Sequence, residues 1–458
     1  MRRFRPWPAT ESTNREEDRI MLGRRSILGS AATLAGTASL GLTGEALFGW
    51  SRAWAQEQPF KPEPGAQLRF LRWSRFLDAE DKATTENIRA FTEATGVPVR
   101  IDNVWQDDVQ PQLSVAANVG SGPDLAWTLH TTPHLFADKL LDLSDVADYI
   151  GGKYGGWYPL IEQYGKRDGR WIGISNVVIG VLPVYRVSAM KEAGFQSFPT
   201  DTDGFLKLCT ELKRIGKPAG FAFGRAPSDG NSFSHWLLWS HGGRLVDENN
   251  RVALNSPETL RALDYARALA SSFIPGTVSW TDASNNSAFL GEQVSLTNNS
   301  VSVYAKARAD KMAFADDIDH ANWPVGPAAQ PTEMHLVYPF IAFRYTRYPN
   351  AAKAFLTFLL EKPQYEKVLD GSVGYVSHAL RAYESSPLWD RDPRIRVFRD
   401  VAARGRSVGY AGTLGTASAA ALAENIVSDM FGGVVTGQSS PQDAVRSAER
   451  RAQRIYRS

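Results

Sequence analysis

The sequence predicts an α/β fold, and three observations carry that expectation. Leu68 and Phe70 alternate as a strand, Ile88, Phe91 and Ala94 follow at helical spacing, and Val97, Val99 and Ile101 alternate again after Gly96. Such a β-α-β opening implies parallel strands joined by a right-handed crossover. Further along, Asp124-Leu125-Ala126-Trp127 reads as a short strand after the turn Gly120-Ser121-Gly122-Pro123. The second half of the chain then carries helices with explicit start signals.

Taken in order, the first helix is expected over Asp81–Ala94, ended by Gly96. Ile172-Gly173-Ile174 and Val177–Val184 make an extended apolar run that stops at Tyr185-Arg186. Ser256-Pro257-Glu258 places a cap, a first-turn proline and a first-turn acid ahead of Leu260, Leu263 and Leu269. Asn350 precedes Ala351–Leu360, whose Phe355, Phe358 and Leu359 share one face, and Ser440-Pro441-Gln442-Asp443 opens a last helix. No internal repeat or heptad is visible. Strands of this kind bind ligands beyond their carboxyl ends.

Composition narrows the function. The chain has 458 residues, 43% hydrophobic and 22% charged, as in ordinary globular proteins. Residues 1–55 hold eight basic and five acidic groups of the totals 51 and 49, leaving a body with 43 against 44 and a net charge of −1. A nearly neutral body offers no general field for nucleic acid or anionic lipid, so no nucleic-acid partner is expected. Cys209 is the only cysteine, within an amphipathic Phe205–Leu212 segment, and reads as a structural thiol.

The first 55 residues read as an export signal. Arg24-Arg25 precede a charge-free, Gly/Ala/Thr-rich run to Gly44, and Ala53-Trp54-Ala55 has the small-x-small pattern of a leader peptidase site. Paired arginines before a weakly apolar run resemble a twin-arginine signal, with Gly23 where such signals usually carry Ser or Thr. The expected cut lies at Ala55–Gln56, in the periplasm, with Gln56–Gly65 a flexible lead-in; Met21 is an alternative start.

From about Leu68 onward the chain resembles the extracellular solute-binding family of ABC importers that includes maltose-binding protein. The carrying segments are Gly120-Ser121-Gly122-Pro123-Asp124-Leu125, Trp236–Trp239 with His241-Gly242-Gly243-Arg244-Leu245-Val246-Asp247, Pro275–Asp282, Asn286–Glu292 and Gly374-Tyr375. The resemblance implies a two-lobed periplasmic-binding-protein fold, with hinge-linked lobes and a ligand cleft between them. It implies crossings near Ser175–Val178 and Val337–Ile341. The lobes would then be 66–174 with about 340–375, and 175–339 with about 376–458. Its implied function is capture of a sugar or polyol for the membrane subunits of an importer, by a monomer with no cofactor.

Sugars present apolar ring faces and a rim of hydroxyls, so a cleft needs aromatics and hydrogen-bonding groups. Ten of the thirteen tryptophans lie beyond residue 55. After the first strand, Trp73, Ser74 and Arg75 are candidates; after the third, Trp127, Thr128, His130 and Thr131. His130 is expected as a hydrogen-bonder, because Pro133 separates it from His134 and no carboxylate completes a zinc set. The implied crossings add Asn176 and Tyr338. The implied second lobe adds Asn231, Ser232, His235, Trp239, Asn298, Asn299 and Tyr410, with Trp127 and Trp239 as the stacking residues. Asn298-Asn299-Ser300 lacks the family's glycine and has Val301 at its usual stacking position, which implies a ligand other than a maltodextrin. Asp282, Asn285 and Asn286 read as helix caps.

The alternatives are a secreted carbohydrate-active hydrolase and a ligand-sensing module for a receptor. No G-x-S-x-G elbow, H-E-x-x-H or Walker loop is present, and no catalytic or metal residue is assigned.

Overall fold

A computed structural model describes residues 44–73 and 78–457. Arg24, Arg25 and the run after them lie outside the described residues, as do Ser74 and Arg75.

The elements that position the site are, in chain order, α1 (Gly44–Glu57), β1 (Leu68–Trp73), α2 (Asp78–Thr95), β2 (Val99–Val104), α3 (Gln106–Val119), β3 (Leu125–Trp127), β4 (Ile174–Ile179), β5 (Leu182–Arg186), α4 (Asp229–Ser240), α5 (Ser284–Leu290), β6 (Leu296–Asn299), β7 (Ile318–His320), β8 (Leu336–Ala342), α6 (Pro349–Leu360), α7 (Lys362–Ser372) and β9 (Ser377–His378). They build two sheets. The first is six-stranded in the order β9-β4-β8-β3-β1-β2, the second three-stranded in the order β6-β5-β7.

The β-α-β opening folds as its periodicity demands. β1 pairs parallel with both β2 and β3, with Phe70 opposite Ile101 on one side and Leu125 on the other. Later strands return antiparallel: β8 lies between β3 and β4, and β9 adds to β4. Phe91 of α2 and Phe355 and Phe358 of α6 are all fully buried and pack edge to face at 5.1 and 5.6 Å, which closes one face of the first sheet.

The long apolar run 172–184 is two strands in two different sheets. β4 belongs to the first sheet through Ile179 and β5 to the second from Leu182, so the chain changes sheet at Gly180–Val181. Gly180 suits that passage because a Cβ there would stand 2.7 Å from Phe398 and 2.8 Å from Val401. Periodicity could not place this break, since both strands are buried and neither alternates. The return comes just before Leu336, where β8 begins. These passages stand a few residues from the implied 174/175 and 339/340 boundaries.

Two other regions bear on the sequence expectations. Cys209 is fully buried in the helix Thr202–Arg214, and burial pushes its thiol above the usual range. Ala53-Trp54-Ala55 lies inside α1, with Trp54 only 5% exposed.

Candidate ligand cleft

A cavity of about 850 Å³ opens between the two sheets. Its wall on the first-sheet side includes Ala79 of α2, Gln106 of α3, Tyr338 of β8, and Tyr375. The opposite wall includes Ser228, Asp229, Asp282, Asn286, Asn299 and Tyr304. Hydrogen bonds cross between the walls: Gln106 Nε2 donates to Ser228 Oγ at 3.2 Å, and Ser300 Oγ donates to the Tyr375 carbonyl at 3.1 Å.

The second wall is organised by the start of α4. Asp282 accepts from the backbone N–H groups of Ser228 (3.2 Å) and Asp229 (3.0 Å), which places a carboxylate on the positive end of that helix. Asp282 therefore does cap a helix, but α4 and not its own. Asn285 Nδ2 donates to Asp229 Oδ2 (2.8 Å) and to the Asn298 carbonyl (2.6 Å), while Asn298 Nδ2 donates to the Asp229 carbonyl (3.1 Å). These bonds tie α4, α5 and the end of β6 into one rigid corner. Burial, and then the neighbouring Asp282, push the Asp229 carboxyl well above the usual carboxylate range against the pull of Asn285.

Asn299 sits on the same corner and is 6% exposed. Its Oδ1 accepts from Ser300 N (2.7 Å) and Ser302 Oγ (2.8 Å), while its Nδ2 has no partner among the described residues. A buried donor left open on a cavity wall costs about 1–3 kcal/mol unless an acceptor arrives. The wall thus offers an acceptor at Asp229 and a donor at Asn299, the pair that a polyhydroxylated molecule satisfies.

The first-sheet candidates form a single aromatic stack behind the cavity. Trp73 and Trp127 lie 5.7 Å apart with planes 13° from parallel, and Tyr338 packs on both at 5.5 and 5.4 Å. Trp127 Nε1 donates to Asn176 Oδ1 and to the Tyr338 carbonyl, each at 3.1 Å. His130, at φ 31°, sets its ring 5.6 Å from Tyr338, and burial lowers its pKa to about 4, so it is neutral. Thr128 bonds the Pro339 carbonyl through both its N–H and its hydroxyl, and Thr131 is buried beside the short helix Thr132–Leu135. Of this group Tyr338 alone is on the cavity wall.

The α4 candidates lie elsewhere. All twelve residues of α4 are buried, so neither side of the helix is free to face a ligand beyond its first turn. Asn231 donates to the Pro227 carbonyl (3.1 Å) and accepts from Ser428 Oγ (2.8 Å). His235 Nδ1 bonds the Asn231 carbonyl at 2.8 Å, and Ser232 is 1% exposed. Trp239, expected to stack on the ligand, is 1% exposed and packs edge-on against His235 (5.0 Å) and Tyr410 (5.7 Å). Tyr410 borders a separate cavity of about 240 Å³ with Arg406 and Gln163. Of the second-lobe candidates, Asn299 reaches the cleft directly and Asn298 braces it.

Sequence reasoning missed Gln106, Asp229, Tyr304 and Tyr375, and read Asp282 and Asn286 only as caps. A usable signal was present: Ser228-Asp229 and Thr281-Asp282 are both helix-start patterns, and a helix N-terminus facing a cleft is where polar groups gather.

The fold is shared with known proteins. Maltose-bound MalE3 of T. maritima matches with a TM-score of 0.73 and 17% identity, over 85% of this chain and 100% of that one. A sugar transporter protein from Arthrobacter chlorophenolicus A6 with bound laminaribiose matches at 0.72 and 17%, over 85% and 99%. An ABC transporter solute-binding protein from Agrobacterium radiobacter K84 in complex with ribitol matches at 0.71 and 16%, over 85% and 99%. The structural likeness establishes the two-lobed architecture. In sequence, a Deinococcus radiodurans protein named "Probable ABC transporter-binding protein" is 22% identical over 251 residues, 52% of this chain and 56% of its own length. The chain thus spans little more than half of that relative. The model of the bacterial extracellular solute-binding proteins matches residues 86–397, and the chain belongs to that family.

Proposed function

We propose that this chain is the substrate-binding component of an ABC importer, capturing a sugar or related polyol in the periplasm by closure of its two lobes. The observation that carries the reading is the cleft corner, where Asp229 offers an acceptor and Asn299 an open donor within one cavity. Relatives of the same fold are described with bound maltose, laminaribiose and ribitol, all polyhydroxylated. Ligand would bind one wall first, and closure would add contacts from the other while removing it from water. The Gln106–Ser228 bond is the contact that such closure would make or strengthen. The proposed contacts are Asp229, Asn299, Asn286, Tyr338 and Gln106. Trp73, Trp127, Asn176 and His130 support Tyr338 from behind.

A thermal-shift screen against neutral sugars, polyols and sugar phosphates tests the reading, because a ligand that binds only the folded state raises its melting temperature. Small-angle scattering of the same complex should show the radius of gyration shrinking. A scattering profile unchanged at saturation, or release of reducing sugar from an oligosaccharide, would favour the hydrolase reading instead, and a panel with no shift would overturn the sugar and polyol assignment. Export is proposed to follow the twin-arginine route, with the chain acting as a monomer beside the importer's membrane subunits. Replacing Arg24 and Arg25 by Lys should then trap precursor in the cytoplasm.

A further inference from the structure

Helix α1 contains the small-x-small motif, yet its second half packs into the first lobe like a core element. Trp50 and Trp54 are one turn apart, stacked at 6.4 Å. Trp54 sets its ring against Phe358 of α6 at 4.9 Å and against Phe91 of α2 at 6.5 Å, and Trp50 reaches Phe358 at 6.1 Å. Ser51, Trp54 and Gln58 are 3%, 5% and 1% exposed. The groove between α2 and α6 is thus filled by two indoles whose loss would bare the edges of Phe91 and Phe358.

The segment after the helix is stitched to the same lobe. Lys61 Nζ donates to the Gln56 carbonyl at 2.5 Å, on the last turn of α1, where a cation favours the helix end. The Glu63 carboxylate accepts from the N–H groups of Asn350 (2.8 Å) and Ala351 (3.0 Å), capping α6, on which Trp54 rests. Helix α1, its C-terminal cap and the helix beneath it form one continuous unit.

Helical geometry also disarms the motif. In an extended chain residues two apart point to the same side, which lets Ala53 and Ala55 enter two adjacent peptidase pockets together. In a helix they point in nearly opposite directions. Trp54, between them, faces the core.

We propose that the second half of helix α1, from Trp50 onward, is a permanent element of the first lobe, docked between α2 and α6, so that a cut releasing the export signal falls N-terminal to Trp50. This inference stands on packing and does not depend on the identity of the ligand. Intact-mass spectrometry of the full chain after export should give a mass that includes Trp50 and Trp54; a mass beginning at Gln56 would overturn the proposal. A second reading uses exported protein carrying Trp54→Ala, which should melt several degrees lower, with Trp54→Phe recovering most of the loss. Identical melting of exported Trp54→Ala and the unaltered chain would overturn it as well. Neither result bears on ligand capture, so failure here leaves the importer reading standing.

Discussion

Two buried carboxylates, Glu333 at the passage between the lobes and Asp229 in the cleft, are opposites in how they are satisfied. Glu333 is fully buried, yet every direction around it is answered. His335 Nε2 donates to its Oε2 at 2.9 Å, and Arg404 donates to its Oε1 through Nε (2.9 Å) and Nη2 (2.5 Å). The His335 Nδ1 accepts from Val181 N at 3.2 Å, which fixes the proton on Nε2. Val181 lies in the first passage between sheets, and Glu333 and His335 lie in the second. Arg404 lies on the stretch that reaches the second lobe where Ala411 N bonds the Val246 carbonyl. One carboxylate therefore ties three passages together. Asp229, by contrast, faces a cavity beside a second carboxylate and an amide with an open donor. A polar network that is complete holds geometry; one with open valences is built to be completed by a ligand.

The largest expected effect is on the complete network. Glu333→Ala should destabilise the protein by about 3 kcal/mol, the lower end for breaking a buried ion pair, because Arg404 keeps 24% of its side chain in water. Thermal or urea melting measures this. A variant that melts like the parent would show that this carboxylate is ornamental and would dissolve the contrast.

Asp229→Asn should do the reverse. It keeps an acceptor for Asn285 and removes the repulsion from Asp282, so melting should stay level or rise. At a pH above its raised pKa, where Asp229 is ionised, binding should weaken by about 10- to 150-fold, the value of a hydrogen bond to a charged group at about 1.5–3 kcal/mol. Calorimetry with a ligand found in the screen, beside melting of the same variant, separates the two effects. Lost stability with intact affinity would place Asp229 with Glu333 as a structural group.

How much of this was legible in the chain follows from the same contrast. The β-α-β opening was readable because Leu68, Phe70, Ile88 and Phe91 keep strand and helix periods, and those periods are set by local geometry. The break at Gly180 was not, because β4 and β5 are buried on both faces and read as one run. Trp127 and Trp239 drew attention as large aromatics after a strand and before a turn. A buried indole in a core leaves the same trace in sequence as one on a ligand, and Trp239 packs inside the second lobe. The cleft's polar groups were hidden for a related reason. Ser228, Asp229 and Asp282 all look like helix starts; Ser228 and Asp229 do open α4, Asp282 caps that same helix from outside it, and only the fold shows that they border a cavity.

The pH dependence of stability should split the two carboxylates by sign. Burial pushes Glu333 up, but the bonds from His335 and Arg404 outweigh it and hold the group below the usual carboxylate range. Its contribution is present above the unfolded-state pKa and is lost as pH falls through the lower, folded value. Asp229 is raised, so its contribution is full below the unfolded-state pKa and is lost as pH rises through the folded one. Melting curves across pH should therefore lose part of their acid limb in Glu333→Gln and part of their decline on raising pH in Asp229→Asn. Identical profiles for both variants would remove the electrostatic half of the comparison.

The smallest effect tests whether the cleft is completed by closure. Gln106 and Ser228 stand on opposite walls, and theirs is a neutral hydrogen bond near the start of α3 and α4. A bond of that kind contributes about 1 kcal/mol net, so Gln106→Ala should weaken ligand binding by roughly 5-fold. The loss should come through the closing equilibrium, because a contact between lobes favours only the closed form. Scattering at a fixed, subsaturating ligand concentration should then show a larger mean radius of gyration for the variant, and the two proteins should converge at saturation. Melting of the unliganded protein should barely move, since Gln106 is half-buried and, among the described residues, its side chain bonds only Ser228. Should affinity hold while the Asp229 variant loses its own, recognition resides in the second wall alone, and closure adds enclosure without adding contacts.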